Sequence, residues 1–263
     1  MVFSRWQIGL AIQDDGVRAI AISRGRQGWR LRRWWFLAPS LETATGSMRN
    51  LTDTLRAWQR TLPLGYQLRV AFPSGRTLTR EIPAPVSALT ETQCMQYLSA
   101  ATGERLRMAA EELTLDYCLR EEGSFSVVAA KKTEIEELRQ ILYRARLHVW
   151  AIIPDACALT SFLPYLAAVD AKRRTYIARE QSVWVWADEK LWGAVSVQEA
   201  ETSEALCTSL GIDSECAAFA TAAAGDSAFV FDPWRTLRQI QPPVPADNAR
   251  YAVPLGLALA SLT

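Results

Sequence analysis

Short runs rich in apolar residues over 8–12, 17–23 and 29–36, bounded by turn residues, predict three strands. Asp14-Asp15-Gly16 and Arg24-Gly25-Arg26-Gln27-Gly28 supply the turns between them, so the chain opens on a meander. A helical period follows. Over 51–62, Leu51, Leu55, Trp58 and Leu62 form one helical stripe, with Thr52 near its start. Residues 67–72 predict a buried strand that ends at Pro73.

A second pattern follows. Residues 77–82 predict a strand closed by Pro83 and Pro85, and 90–106 a helix capped by Thr90. Residues 113–120 and 125–130 predict strands joined across Glu121-Glu122-Gly123-Ser124. Ile135, Leu138, Leu142 and Ala145 stripe a helix over 133–147, with Thr133 as its cap, and 149–153 forms a closing strand. The order β-α-β-β-α-β predicts a compact sheet with two helices on one face. Asp155, after Pro154, is expected to cap a helix running to about residue 166.

Asp170-Ala171-Lys172-Arg173-Arg174 marks a charged boundary. Beyond it, 175–177, 183–187 and 190–197 predict a second meander, 203–210 a helix ended by Gly211, and 229–231 a short strand. Residues 217–224 are ambiguous, 241–245 read as an extended linker, and 251–262 predict a final helix. The second half is a shortened echo of the first. The expected division is 1–168, containing an inserted subdomain at about 77–153, followed by 169–263.

Composition narrows the chemistry. With 49% hydrophobic and 22% charged residues over 263 positions, the chain has enough apolar material for two modest cores. No run approaches the length of a spanning helix, and the first residues lack a cationic segment followed by an apolar one, so a cytoplasmic location is expected. The five cysteines, Cys94, Cys118, Cys157, Cys207 and Cys216, form no metal spacing, and reduced thiols are expected. His148 is the only histidine, which leaves no donor set for zinc and gives little support to a histidine-based nucleophilic site.

Net charge is only +1, but residues 1–80 hold thirteen arginines against Asp14, Asp15, Glu42 and Asp53, a balance of +9. Arg24, Arg26, Arg30, Arg32 and Arg33 form the densest part, followed by Trp34 and Trp35. Such a run suits an anionic lipid surface, an acidic partner or nucleic acid, and equally suits solvated strand faces, which is the reading preferred here. Asp14 and Asp15 fit local turn hydrogen bonding, and Glu134, Glu136 and Glu137 suit the first turn of a helix. No pair of carboxylates reads as an acid/base couple.

The order of several short motifs resembles a known family. Leu115-Asp116-Tyr117, Val127-Val128-Ala129-Ala130-Lys131-Lys132-Thr133-Glu134, Ala145-Arg146-Leu147 and Ile153-Pro154-Asp155-Ala156-Cys157-Ala158-Leu159 are similar to stretches of the PilM/HofM family. Trp6-Gln7-Ile8-Gly9-Leu10, Arg33-Trp34-Trp35, Ala71-Phe72-Pro73-Ser74-Gly75-Arg76-Thr77-Leu78, Phe231-Asp232-Pro233-Trp234 and Leu255-Gly256-Leu257-Ala258-Leu259 look more like its HofM branch. The resemblance spans nearly the whole chain and is strongest before residue 165. It implies an α/β, actin-like and FtsA-like two-domain fold with a small insertion in the first half and a reduced second half.

Within that resemblance the nucleotide site looks degenerate. An actin-like ATPase carries a carboxylate and a phosphate-facing glycine in its first turn; this chain has Gly9 but then Ala11 and Gln13 at those positions. Tyr176-Ile177-Ala178-Arg179-Glu180-Gln181 lacks the Asp-x-Gly of the second phosphate loop, and Ala222-Ala223-Ala224-Gly225-Asp226 keeps one glycine of the adenosine turn. The expectation is a chain that is not an enzyme, with no catalytic residue, metal or ATP/Mg cofactor.

The resemblance further implies a cytoplasmic scaffold of a type IV pilus-like or DNA-uptake machine, peripheral to the inner membrane. It would hold the N-terminal peptide of a PilN-like (HofN-like) bitopic membrane protein, in a groove sought near Phe72, Pro73, Ser74, Tyr117, Ala129 and Ala130. The alternatives are a nucleotide-binding PilM-like ATPase switch and, through the Arg-rich strands, a DNA-binding component of uptake; direct nucleic-acid binding is not expected.

Overall fold

The computed structural model describes residues 5–38, 47–85, 89–120, 123–221, 228–241 and 243–260. Met1–Ser74 with Arg144–Thr263 form one compact unit, and Gly75–Tyr143 form another.

The larger unit begins with β1 (Trp6–Gln13), β2 (Gly16–Gly25) and β3 (Gly28–Leu37), paired antiparallel as the short turns between them predict. Helix α1 (Ser47–Gln59) buries Leu55 and Trp58, and the Trp58 ring meets Trp35 of β3 edge-on at 5.6 Å. Strand β4 (Tyr66–Phe72) then runs parallel to β1.

The smaller unit comprises β5 (Thr77–Pro83), α2 (Glu91–Leu106), β6 (Leu113–Leu119), β7 (Ser124–Lys131) and the body of α3 (Lys132–Arg144). Its sheet has the order β5-β7-β6, all antiparallel. Thr90 caps α2 through a capping box with Gln93, as Thr-x-x-Gln at a helix start dictates. Ile82, Cys94, Leu98 and Val127 form its core. Helix α3 starts at Lys132, so Thr133 lies inside the helix rather than capping it.

Strand β8 (Val149–Pro154) departs from the sequence reading. It does not close the smaller sheet. It pairs parallel with β4, Val70 opposite Ile152 and Ala71 opposite Ile153, at the edge of a six-stranded sheet. The smaller unit is thus inserted between two neighbouring parallel strands. Periodicity sees that residues 149–154 are extended, but not which strand supplies their backbone partners.

Helices α4 (Asp155–Ala158) and α5 (Leu163–Val169) follow, then β9 (Thr175–Arg179), β10 (Val183–Ala187) and β11 (Trp192–Ser196) as the second meander. Helix α6 (Ser203–Leu210) carries a Thr202 cap and ends at left-handed Gly211; β12 (Ala217–Phe219) joins β9 in parallel, giving the order β11-β10-β9-β12. Strand β13 (Leu237–Gln239) crosses back to pair with β3, and α7 (Ala252–Leu259) closes the chain.

Every residue of α7 is buried. It packs on β1 because Gly9 has no side chain: a Cβ there would stand 1.9 Å from the Pro254 carbonyl oxygen. On its other flank a Cβ on Gly256 would stand 2.4 Å from the Ala158 carbonyl oxygen. One apolar core therefore runs through both sheets of the larger unit, joining Ile20, Ile22 and Leu31 to Phe162, Tyr176, Val185, Trp234 and Tyr251.

Candidate functional site

The turn that joins β1 to β2 points its polar side chains at residues from the far half of the chain. Ser182 Oγ donates to Asp14 at 3.1 Å, and Gln13 Nε2 donates to the Glu180 carboxylate just past the end of β9. Gln13 also accepts from Arg18. Arg18, 2% exposed, is forked between two acids, reaching Asp15 at 2.7 and 3.0 Å and Asp247 at 2.9 and 3.2 Å. Arg250, one turn before α7, completes the ring by donating to Asp15.

The electrostatics follow from this arrangement. The Arg18 hydrogen bonds, aided by Arg250, hold the Asp15 carboxyl down at about 2, against the opposing pull of burial. Glu180 goes the other way. Burial, reinforced by the negative charge of Asp155 and only partly opposed by Arg250 and Arg18, pushes its carboxyl up to about 8. Asp155 is itself raised by burial, while hydrogen bonds from Ser74 and from the Ala156 N–H pull it back.

A testable pH dependence results. An acid raised from about 4.5 to about 8 contributes its full stability below pH 4.5, where folded and unfolded chains are both protonated, and loses it as pH climbs through 8. Urea titrations from pH 5 to pH 9 should show stability falling across that window. Glu180→Gln should flatten the fall and leave the variant the more stable protein at pH 8; an unchanged slope would remove Glu180 as its source.

Gly9, Ala11 and Gln13 of the first turn each have a structural role. Gly9 admits α7, Ala11 lies in the apolar core, and Gln13 bridges to Glu180. Tyr176 is buried and its hydroxyl donates to the Phe231 carbonyl at 2.9 Å. The third loop, residues 222–226, lies outside the described residues, as does Glu121-Glu122. Among the described residues no cluster of His, Cys, Asp or Glu has metal-binding form.

Of the residues expected at a peptide groove, Phe72, Pro73 and Ser74 belong to the larger unit. Phe72 and Ser74 are buried, Pro73 is exposed, and the Ser74 hydroxyl and N–H both serve Asp155. Asp155 is therefore not the expected cap of a helix running to about residue 166: Pro154 holds the cap position, α4 ends at Ala158, and the Asp155 side chain instead ties the end of β4 to the start of α4. Tyr117, Ala129 and Ala130 belong to the smaller unit, Ala129 buried and the other two half-buried on its sheet. Sequence reasoning missed Arg18, Glu180, Asp247 and Arg250. The available signal was an arginine inside an otherwise apolar strand, Gly16-Val17-Arg18-Ala19-Ile20, which must find a counter-charge if buried.

Comparison with known proteins fits this architecture. No protein-family model matches the chain. In solved structures, the PilM–PilN type IV pilus biogenesis complex has a chain that superposes with a TM-score of 0.66 at 14% identity, covering 96% of this chain and 97% of that one. The cytoplasmic domain of EpsL, an inner-membrane component of the type II secretion system of Vibrio cholerae, gives 0.64 at 10% identity, covering 97% and 95%. At such identities the likeness is one of fold, and that fold is actin-like. Among the described residues no helix is long and apolar enough to cross a membrane. The DNA utilization protein HofM of Escherichia coli (strain K12) is 34% identical over 264 residues, 98% of each chain, and on that kinship this chain belongs to the HofM family.

Proposed function

We infer that this chain is a non-catalytic scaffold of a DNA-uptake or type IV pilus-like machine. It works in the cytoplasm beside the inner membrane and is held there by the short cytoplasmic N-terminal peptide of a PilN-like bitopic protein. The observation that carries the reading is the bridge from Gln13 to Glu180 with the Asp15–Arg18–Asp247 fork beside it. An actin-like ATPase uses these loops to receive phosphates and a metal. Here the Gln13 amide and the buried Glu180 carboxyl, kept protonated at neutral pH by its burial, engage each other, and Asp15 and Asp247 are engaged by Arg18, so the polar groups at this turn already have partners. Kinship with a DNA utilization protein supports the setting, and the likeness to a PilM–PilN complex supports the class of partner.

Peptide capture needs no nucleotide. An extended segment can add to an open sheet edge, using backbone hydrogen bonds for affinity and side-chain pockets for register. Strand β6 is an edge of the smaller sheet, it carries Tyr117, and Ala130 stands one strand in, opposite Thr114. Calorimetric titration of the purified chain gives the test. Mg-ATP should give no heat and no thermal stabilisation, whereas the partner's N-terminal peptide should bind. Ala130→Glu should abolish peptide binding with the melting profile preserved. Saturable Mg-ATP binding would favour the nucleotide switch instead, and an unaffected Ala130→Glu variant would move the peptide site elsewhere.

A further inference from the structure

The arginines of the opening meander gather at one border of the six-stranded sheet, where the fold adds more. Strand β13 lies along β3 with Leu237 opposite Trp29 and Gln239 opposite Arg30, which carries Arg238 to the hairpin end near Gly28. Arg26, Arg32, Arg33 and Arg238 are exposed and Arg30 half-buried. Among the described residues none of these five has a carboxylate within ion-pair distance. Neither segment of this border, 16–38 nor 233–246, contains an acidic residue.

Exposed apolar side chains flank the cations. Ile240 is 39% and Val244 37% exposed, on the stretch that continues from β13 past β3 and is anchored where Trp34 Nε1 donates to the Pro243 carbonyl at 2.9 Å. Two of the aromatic rings nearby are already covered: Arg24 lies over Trp29 and Arg33 over Trp35. A single-stranded nucleic acid gains most of its sequence-tolerant affinity from open stacking rings, and these two are taken. Arginines without a carboxylate partner, interspersed with exposed aliphatic groups, match a different surface, the headgroup layer of an anionic bilayer, where cations meet phosphates and aliphatic groups enter the interface.

The geometry points to this border as a direct docking surface for anionic phospholipid, so that the chain touches the membrane itself as well as through a membrane partner. The surface is built from Arg26, Arg30, Arg32, Arg33 and Arg238, with Ile240 and Val244 as its apolar contacts. Binding rests on several weak contacts, so it is salt-sensitive and graded.

The test is sedimentation of the purified chain, without any partner, with vesicles of phosphatidylcholine alone or phosphatidylcholine mixed with phosphatidylglycerol. Binding only to the mixed vesicles, weakened by salt, is expected. Arg26→Gln, Arg33→Gln and Arg238→Gln should each lower the partition coefficient about fivefold. Ile240→Ser should lower it with no change in salt dependence. Melting curves of the variants should match that of the parent, since each altered side chain is exposed. Equal binding to both vesicle types, no binding to either, or full binding by the triple arginine variant would overturn the proposal. So would retention on single-stranded DNA in the absence of vesicle binding, which would assign the border to nucleic acid.

Discussion

Replacing Gly9 with alanine should destabilise this protein by about 3 kcal/mol, at the upper end of what overpacking one methyl costs. The added Cβ would fall 1.9 Å from the Pro254 carbonyl oxygen and 2.8 Å from the Leu257 Cβ. The first is backbone of a helix buried along its whole length, so no rotamer change relieves it. Helix α7 must move off β1, and it is clasped on its other side by the close approach at Gly256. Moving α7 also displaces Arg250, just upstream, from Asp15. For a chain of this size the loss corresponds to a fall in melting temperature of roughly 6–12 °C. Gly75→Ala is the control, because a Cβ there meets nothing within 4 Å; it should change stability by less than about 0.5 kcal/mol. Equal melting temperatures for Gly9→Ala and the parent would mean that α7 does not pack against β1 in this way.

Arg18→Ala should cost a similar amount, about 3 kcal/mol. Removing one partner of a buried pair costs about 3–5 kcal/mol, and the lower figure applies because Asp15 and Asp247 remain partly open to water, with side chains 28% and 43% exposed. The guanidinium also lies 4.6 Å from the centre of the Phe36 ring, a contact the variant loses. Arg18→Lys separates charge from geometry. A lysine keeps the charge but cannot engage both acids as a fork, so it should recover only part of the loss. The Asp15 carboxyl, released from its main donor, should titrate above its present value of about 2, which carbon-detected NMR would register. If Arg18→Ala melts with the parent and Asp15 does not move, the fork is not a structural tie.

Much of the architecture can be read from residues in sequence order. The three strands of the first meander, the capped α2 and the paired β6 and β7 occur where periodicity and turn residues put them, because each is decided by local propensity and one apolar face, whereas α1 spans Ser47–Gln59 and leaves out Leu62 of the expected stripe. The motif order also pointed to the family that the 34% identity establishes. What failed was partner choice. Residues 149–154 read as the last strand of the inserted unit, yet β8 hydrogen-bonds to β4. Both sheets could accept an apolar strand; the contest was settled by parallel register with a neighbour 81 to 82 positions away, which no local pattern encodes. Asp15 was likewise assigned to its own turn, where local bonding is the ordinary role of Asp, although its stronger partners are Arg18 and Arg250.

By itself the sequence determined most of the elements, the presence of Ala11 and Gln13 in the first turn, and the excess of arginine in its first third. These are properties of residue type, spacing and charge, and they survive any packing of the chain. The tertiary structure alone decided that Gln13 meets Glu180, that Arg18 is shared between Asp15 and Asp247, and that Arg238 joins the arginines of the hairpin. Each joins residues separated by 167 to about 230 positions, apart from the short Asp15 contact. Chain connectivity carries no information about such meetings; the burial of α7 against β1, which brings the ends of the chain together, creates them.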